Sequence, residues 1–517
     1  MDRRHILWAD DEIEYLKPHI LFLEEKNFVV KTVNNGQDAV EAFKNEPFDL
    51  VFLDENMPGL TGLETLAILK SINASIPTVL VTKNEAEHLM EEAIGSQIDD
   101  YLIKPVNPKQ ILLTIKKLTE NKRLISEKTS MAYQQDFLKL GMSLNEDLNY
   151  HEWIETYKKI VYWELALQKI KDGSMHEVLT SQKADANAAF SRFIERNYLR
   201  WLKNPEEAPL LSPKLFQKKV FPGIEKGKPT FFILVDNMRY DQWKVINDAI
   251  SDYYRLVEEE NYFSILPTAT QYARNAIFSG LMPSEIAKSF PDLWQDDEDE
   301  GGKNLYEDVF LQAQIQRMYR REIKHSYTKI LTMEQGKDVV DKLPNLLQND
   351  LNVLVYNFVD MLSHARTDME MIKELASDEA AYRSLTLSWF EHSPLLDALK
   401  SLSEHNVRVI LTTDHGTIRV KKPSKIIGDR KTSTNLRYKQ GRNLNYVEKD
   451  VFSIRNPEEA FLPKPHVSST YVFAKNDLYF IYPNNYNYYA SYYADTFQHG
   501  GISLEEMIVP IATYLPK

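Results

Sequence analysis

Three apolar stretches of this chain end on groups that bind metal ions. Arg408–Gly416 (Arg-Val-Ile-Leu-Thr-Thr-Asp-His-Gly) closes on the adjacent Asp414 and His415, Thr230–Asp236 closes on Asp236, and Asn352–Asp360 closes on Asp360 with His364 following. Each run reads as a buried strand. Buried parallel strands deliver functional groups at their carboxyl ends, in the crevice where open α/β sheets bind ligands. One helical turn after Asp360 would set His364 on the same face. His499, ahead of Gly500-Gly501 and a last apolar run Met507–Leu515, adds a third imidazole. Three carboxylates and three imidazoles are the ligand chemistry of zinc rather than of calcium or magnesium alone. Taken singly, a strand-end aspartate equally caps the next helix, and a lone histidine equally fills a structural place. Recurrence at three strand ends is what marks a site.

Ser264–Gly280 supplies hydroxyls. Thr268 and Thr270 stand where an apolar run turns into a helical one; either can cap the helix, and beside zinc either can lose its proton and become a nucleophile. Arg274 and Asn275, one turn later, offer a clamp for phosphate. Just past Asp414-His415, residues 419–443 hold nine basic side chains (Arg419, Lys421, Lys422, Lys425, Arg430, Lys431, Arg437, Lys439, Arg442) against Asp429 alone. This reads as a basic loop: a solvated segment, or a flap that attracts polyanions.

The elements that must position these groups alternate between strand and helix. In residues 1–120, Ile6–Ala9 leads to Asp10-Asp11, Phe28–Val33 is a strand, Asp49–Leu53 leads to Asp54, Thr78–Val81 to Thr82, and Tyr101–Ile103 to Lys104-Pro105. That alternation predicts a doubly wound parallel sheet. The trio Asp10, Asp11 and Asp54 repels itself unless a hard cation such as Mg²⁺ relieves it, and a carboxylate so placed can act as nucleophile toward a phosphoryl group. These residues resemble a two-component receiver domain. The resemblance implies Asp54 as phosphoacceptor, Asp10, Asp11, Asp54 and the Asn56 carbonyl around Mg²⁺, Thr82, Tyr101 and Lys104 as switch residues, and a sensor histidine kinase as partner.

Residues 121–204 contain two glycines, no proline and aromatic residues at helical spacing, from Trp153, Tyr157, Ile160 and Val161 to Phe190, Phe193, Ile194, Tyr198 and Trp201. A bundle of three or four helices is predicted, a spacer or dimer contact without catalytic pattern. Five prolines in Asn204–Pro229 then mark a boundary. At 517 residues, two to four domains are expected. The net charge is −13, of which residues 1–120, with 12 Lys/Arg and 21 Asp/Glu, carry −9. Cysteine is absent, which excludes disulfides and thiol chemistry. No apolar run is long enough to span a bilayer, and charge follows the first four apolar residues, so neither membrane insertion nor a secretory leader is expected and a cytoplasmic location is.

The motif order in 205–517 resembles the alkaline phosphatase superfamily, in its PglZ-type branch. The resemblance implies one zinc on Asp236, Thr270, Asp414 and His415, a second on Asp360, His364 and His499, and Thr270 as nucleophile. With a receiver in front, the arrangement resembles the PorX-like response regulators of the type IX secretion pathway. The expected architecture is therefore α/β: a doubly wound receiver (1–120), a helical bundle (121–204) and an alkaline-phosphatase-like domain (205–517). The expected function is a zinc-dependent phosphodiesterase acting on nucleotides or oligonucleotides, dimerising on Asp54 phosphorylation, with transcription or secretion components as further partners. The alternative is a non-catalytic, zinc-stabilised scaffold under the same control.

Overall fold

The computed structural model describes residues 4–83, 98–144, 146–170, 173–297, 302–319, 322–429 and 432–517. It divides into two compact units, Met1–Gln134 with Ile170–Asp172, and the rest of the chain.

In the first unit β1 (Arg4–Ala9), β2 (Phe28–Val33), β3 (Leu50–Asp54), β4 (Thr78–Thr82) and β5 (Asp100–Ile103) form one parallel sheet in the order β2-β1-β3-β4-β5. Alternate residues feed two cores. Leu7, Ala9, Val51 and Leu53 fill one face, and Ile6, Trp8, Leu50 and Phe52 the other, as a sheet covered on both faces requires. The order reverses between β1 and β3, so Asp10 and Asp54 meet at the switch point. The expected boundary at residue 120 falls inside a single helix, Pro108–Ser143.

The second unit is built on a six-stranded sheet. Its strands are β6 (Thr230–Val235), β7 (Tyr254–Phe263), β8 (His325–Ile330), β9 (Leu351–Tyr356), β10 (Arg408–Thr412) and the C-terminal strand Ile508–Pro516, which runs antiparallel between β7 and β10. β6, β9 and β10 are wholly or almost wholly buried, so they read as continuous apolar runs. The third run stops earlier than the sequence suggests: β9 ends at Tyr356, and Asp360 lies in the helix Phe358–Asp368.

The helices Tyr150–Ile170 and Gly173–Lys203 are not a free-standing spacer. Phe190 and Trp201 pack on Phe263 of β7, with ring centroids 6.2 and 5.6 Å apart, and Tyr157 packs on Tyr240 at 5.8 Å. Asn187 donates to Glu505 at 3.0 Å. Their aromatic face therefore shares a core with the C-terminal domain. Among the described residues no helix is long and apolar enough to cross a membrane.

The expected basic loop contains two β-strands. Lys422–Ile427 and Tyr438–Arg442 are strands, while Arg430 and Lys431 lie outside the described residues. Arg437 is buried and donates to both oxygens of Glu506, at 3.1 and 2.7 Å. Lys439 is 1% exposed and donates to the Ser433 carbonyl at 2.8 Å. Neither reaches solvent as a flap would. Burial brings the Lys439 ammonium down from 10.5 to about 7. The folded state then binds fewer protons than the unfolded one, so stability rises with pH between those values and is lost as pH falls toward 7. Lys439→Met is expected to remove that rise, which is about 1.4 kcal/mol per pH unit. Urea unfolding at about pH 7 and about pH 10 reads the difference; parallel curves for variant and wild type would contradict it.

Candidate metal centre

Two ligand triads stand at the carboxyl edge of the large sheet. Asp236, directly after β6, joins Asp414 and His415, which follow β10, and in each triad, this one and Asp360-His364-His499, the ligand atoms lie within 4.8 Å of one another. His415 Nε2 is 3.9 Å from Asp236 and 3.7 Å from Asp414. In the second triad, His364 Nε2 lies 3.6 Å from Asp360, one helical turn away, and His499 Nε2 lies 3.7 Å from it. The His415 and His499 rings stack at 4.4 Å and join the triads into one centre.

Backbone partners aim the imidazoles. His415 Nδ1 donates to the Gly416 carbonyl at 3.1 Å and His499 Nδ1 to the Thr268 carbonyl at 3.3 Å. Each Nε2 is thereby left to face the carboxylates, the usual way a ligating histidine is fixed. Burial, with His415 and His364 adding to it, holds His499 well below the usual histidine range, and burial also lowers His415. Burial and the neighbouring Asp236 raise Asp360 to about 6 and push Asp414 well above the carboxylate range. Asp414 Oδ2 is buried without a hydrogen-bond partner. Neutral imidazoles beside carboxylates that repel one another, one with an orphaned oxygen, fit two divalent cations of the zinc type.

The two threonines separate by position. Thr270 begins the helix Thr270–Ser279, capped by Ala269, and its Oγ1 lies 3.3 Å from Asp236 and 3.1 Å from His415. Thr268 is fully buried; its hydroxyl donates to the Gly501 carbonyl at 2.8 Å and accepts from Gly500 N at 3.1 Å. It holds the turn that presents His499. Gly500 has φ +121°, and a Cβ there would meet the Tyr438 ring at 2.6 Å, so that turn requires glycine.

The expected phosphate clamp is corrected. Arg274 is 1% exposed and is held by two carboxylates, Asp236 at 2.5 Å and Glu307. Asn275 is buried between the Lys303 carbonyl and Asn304. Arg274 steadies Asp236 from behind and presents no surface to a phosphate. Asn237 went unnoticed in the sequence. At φ 64°, its N donates to Asp414 at 3.2 Å and its Nδ2 to Asp360 at 3.2 Å and Ser363 at 3.2 Å. An asparagine directly after a strand-end aspartate was the available signal, since asparagine tolerates the left-handed region.

A further acidic cluster, Glu164, Asp241 and Glu379, is answered by protein cations. Lys183 lies 2.9 Å from each of Glu164, Glu379 and Glu505, while Arg239 and Arg383 pair with Asp241 at 2.5 and 2.8 Å.

In the first unit, Asp10, Asp11 and Asp54 present oxygens within 4.8 Å of one another. Lys104 bridges Asp10 at 2.8 Å and Asp54 at 3.1 Å. Burial and Asp10 raise Asp54 to about 6, the repulsion that a divalent cation relieves. Thr82 is buried at the end of β4, Tyr101 is 40% exposed, and Asn56 is exposed just past β3.

Comparison with known proteins follows these divisions. Residues 6–116 match the response regulator receiver domain, residues 123–202 the PorX response regulator linker domain, and residues 215–514 the BREX system PglZ alkaline phosphatase-like domain. Over 119 residues the chain is 34% identical to the transcriptional regulatory protein ZraR of Klebsiella oxytoca, covering 23% of this chain and 27% of that protein. It is 29% identical over 113 residues to ResD of Bacillus subtilis, covering 22% and 47%. The chain thus spans between a quarter and a half of the length of these curated relatives. A CheY-like receiver domain protein from Methanospirillum hungatei is 26% identical with a TM-score of 0.23, covering 24% of this chain and 98% of that one. With the PglZ match extending over more than half of its length, the chain belongs to the PglZ alkaline phosphatase-like family, carried behind a response-regulator receiver and a PorX-type linker.

Proposed function

We propose that the C-terminal domain is a two-zinc phosphodiesterase acting on nucleotides or oligonucleotides, and that Asp54 phosphorylation by a sensor histidine kinase, with Mg²⁺ at Asp10, Asp11, Asp54 and the Asn56 carbonyl, controls it through dimerisation. The observation that carries the catalytic reading is Thr270 Oγ1, 3.3 Å from Asp236 and 3.1 Å from His415 at the head of a ten-residue helix. Helix N-termini favour phosphate oxygens, so a diester seated there brings its phosphorus to the hydroxyl. Zinc, when bound by the two triads, supplies Lewis acidity and lowers the pKa of the attacking oxygen. Thr270 Oγ1 loses its proton and attacks phosphorus, the ester P–O bond breaks, and the alcohol departs with a proton. Water then releases the phosphoryl group and restores the hydroxyl. Asp236, steadied by Arg274, and His415, its Nε2 unprotonated, orient the Thr270 oxygen throughout.

Freshly purified protein is expected to carry about two zinc equivalents by elemental analysis and to hydrolyse a chromogenic phosphodiester, with turnover lost to chelator and restored by zinc. Zinc bound without any diester or monoester turnover would favour the scaffold instead.

A further inference from the structure

The helix Tyr486–Tyr493 (Tyr-Asn-Tyr-Tyr-Ala-Ser-Tyr-Tyr) has five tyrosines, no charge and no buried residue. One edge is anchored: Tyr486 and Tyr493 pack against Ile418, Val420, Tyr479 and Ile481, and the Tyr479 hydroxyl donates to the Ala490 carbonyl. Positions 486, 489, 490 and 493 share one helical face, with Tyr489 at its exposed edge, which leaves Tyr488 and Tyr492 off it. Tyr488 is 64% and Tyr489 39% exposed. Tyr488 stacks on Tyr492 at 6.0 Å, and Tyr489 on Tyr493 at 6.1 Å, each pair within 15° of parallel. Contiguous flat rings left in water mark a surface that something covers.

Location and charge identify the occupant. The chain passes from this helix through Phe497–Gln498 directly to His499, and Gln498 donates to Thr367 at 3.3 Å on the helix that carries Asp360 and His364. The His364 side chain is 65% exposed, so the metal centre is open at that edge. The segment that anchors the tyrosine helix also carries exposed Lys421 and Lys425, the latter with Nζ 4.8 Å from the Tyr486 ring. Stacked rings for bases beside ammonium groups for phosphates are the means by which single strands are held without sequence preference. Asn487 and Ser491, exposed on the same helix, offer polar groups that base edges can pair with and that an apolar partner surface would leave unsatisfied.

We propose that Tyr488, Tyr489 and Tyr492 form a base-stacking platform that holds a single-stranded oligonucleotide substrate beside the metal centre, with Lys421 and Lys425 along its phosphates. The proposal rests on the phosphodiesterase reading above and gives it a substrate subsite. The test is fluorescence anisotropy of the full-length protein with a labelled, phosphorothioate-linked oligothymidine of about ten nucleotides and with its abasic counterpart. Tyr488→Ala and Tyr489→Ala should each weaken binding about tenfold, Tyr488→Phe should match wild type, and the abasic strand should bind wild type and variants equally weakly. Lys425→Ala should flatten the dependence of affinity on salt. Equal affinity of the alanine variants and wild type for oligothymidine overturns the platform, as does equal binding of normal and abasic strands by wild type. A wild-type dimer that Tyr488→Ala dissolves in sedimentation also overturns it, since a second copy would then cover the face. Failure to cleave a small chromogenic diester strikes the catalytic reading instead, and the anisotropy arms still decide the platform.

Discussion

Thr270→Ala is expected to lower phosphodiester turnover by about a thousandfold or more, the loss of at least about 4 kcal/mol of transition-state stabilisation, with fold and zinc content largely kept. The helix loses no cap, because Ala269 holds that position and Thr270 stands inside it. The hydroxyl's described contacts are with Asp236 and His415, and both triads keep all three of their own side chains. Thr268→Ala separates nucleophile from scaffold. It removes the hydrogen bonds to Gly500 N and Gly501 O that shape the His499 turn, so its expected effect is a fall in zinc toward one equivalent, with activity recovering when zinc is added in excess. A Thr270→Ala protein that keeps wild-type rates would sink the assignment. If Thr268→Ala alone is dead and still holds its zinc, the nucleophile is two residues upstream. If neither change matters, water attacks directly and no covalent intermediate forms.

Much of this centre was legible because strand ends carry their chemistry in single residues. Asp236, Asp414 and His415 follow buried runs whose composition alone marks them, and Asp360 with His364 needed only helical periodicity. The receiver cluster was legible for the same reason: a parallel sheet sends its reactive groups to one edge. What the sequence hid were pairings settled by tertiary contact. Arg274 reads as a phosphate clamp from its place one turn into a helix, yet its guanidinium lies 2.5 Å from the buried Asp236 and is taken up there. Arg437 and Lys439 read as a basic surface until the fold turns them inward, Arg437 just ahead of the strand toward Glu506 and Lys439 within it toward the Ser433 carbonyl. The aromatic face of the middle helices was visible as periodicity, but periodicity does not say whether such a face meets another helix or β7. Asn237 acts through a left-handed backbone that one sequence does not display.

Lys183→Met is expected to cost on the order of 3–5 kcal/mol, the range for removing one partner from a buried charge cluster, a fall in unfolding temperature of roughly 5–10 °C for a unit of this size. Lys183 is 7% exposed, and its ammonium lies 2.9 Å from Glu164, Glu379 and Glu505. Burial alone would push it to the neutral form, yet the three carboxylates hold its pKa well above the usual lysine range, so it is charged in the folded protein. Burial already raises Glu164, whereas Glu379, despite burial, is held well below the carboxylate range by Lys183 and Arg239. Without Lys183, Arg239 and Arg383 still serve Asp241, but three carboxylates lose their common cation, and Glu164 and Glu379 become easier to protonate. The folded variant then binds protons that the unfolded chain releases above its ordinary carboxylate pKa, so its deficit is full near neutrality and shrinks as pH falls through that range. Adding Glu379→Gln should restore part of the loss, because it removes one of the stranded charges, and the double-mutant cycle measures how much. The same cluster reaches the metal centre through Arg239, three residues after Asp236 in the same turn, so zinc affinity is expected to fall together with stability. Thermal unfolding of wild type, single and double variants at about pH 5 and about pH 7 decides it: a Lys183→Met curve that coincides with wild type at both values would mean that solvent, and not the lysine, neutralises these carboxylates.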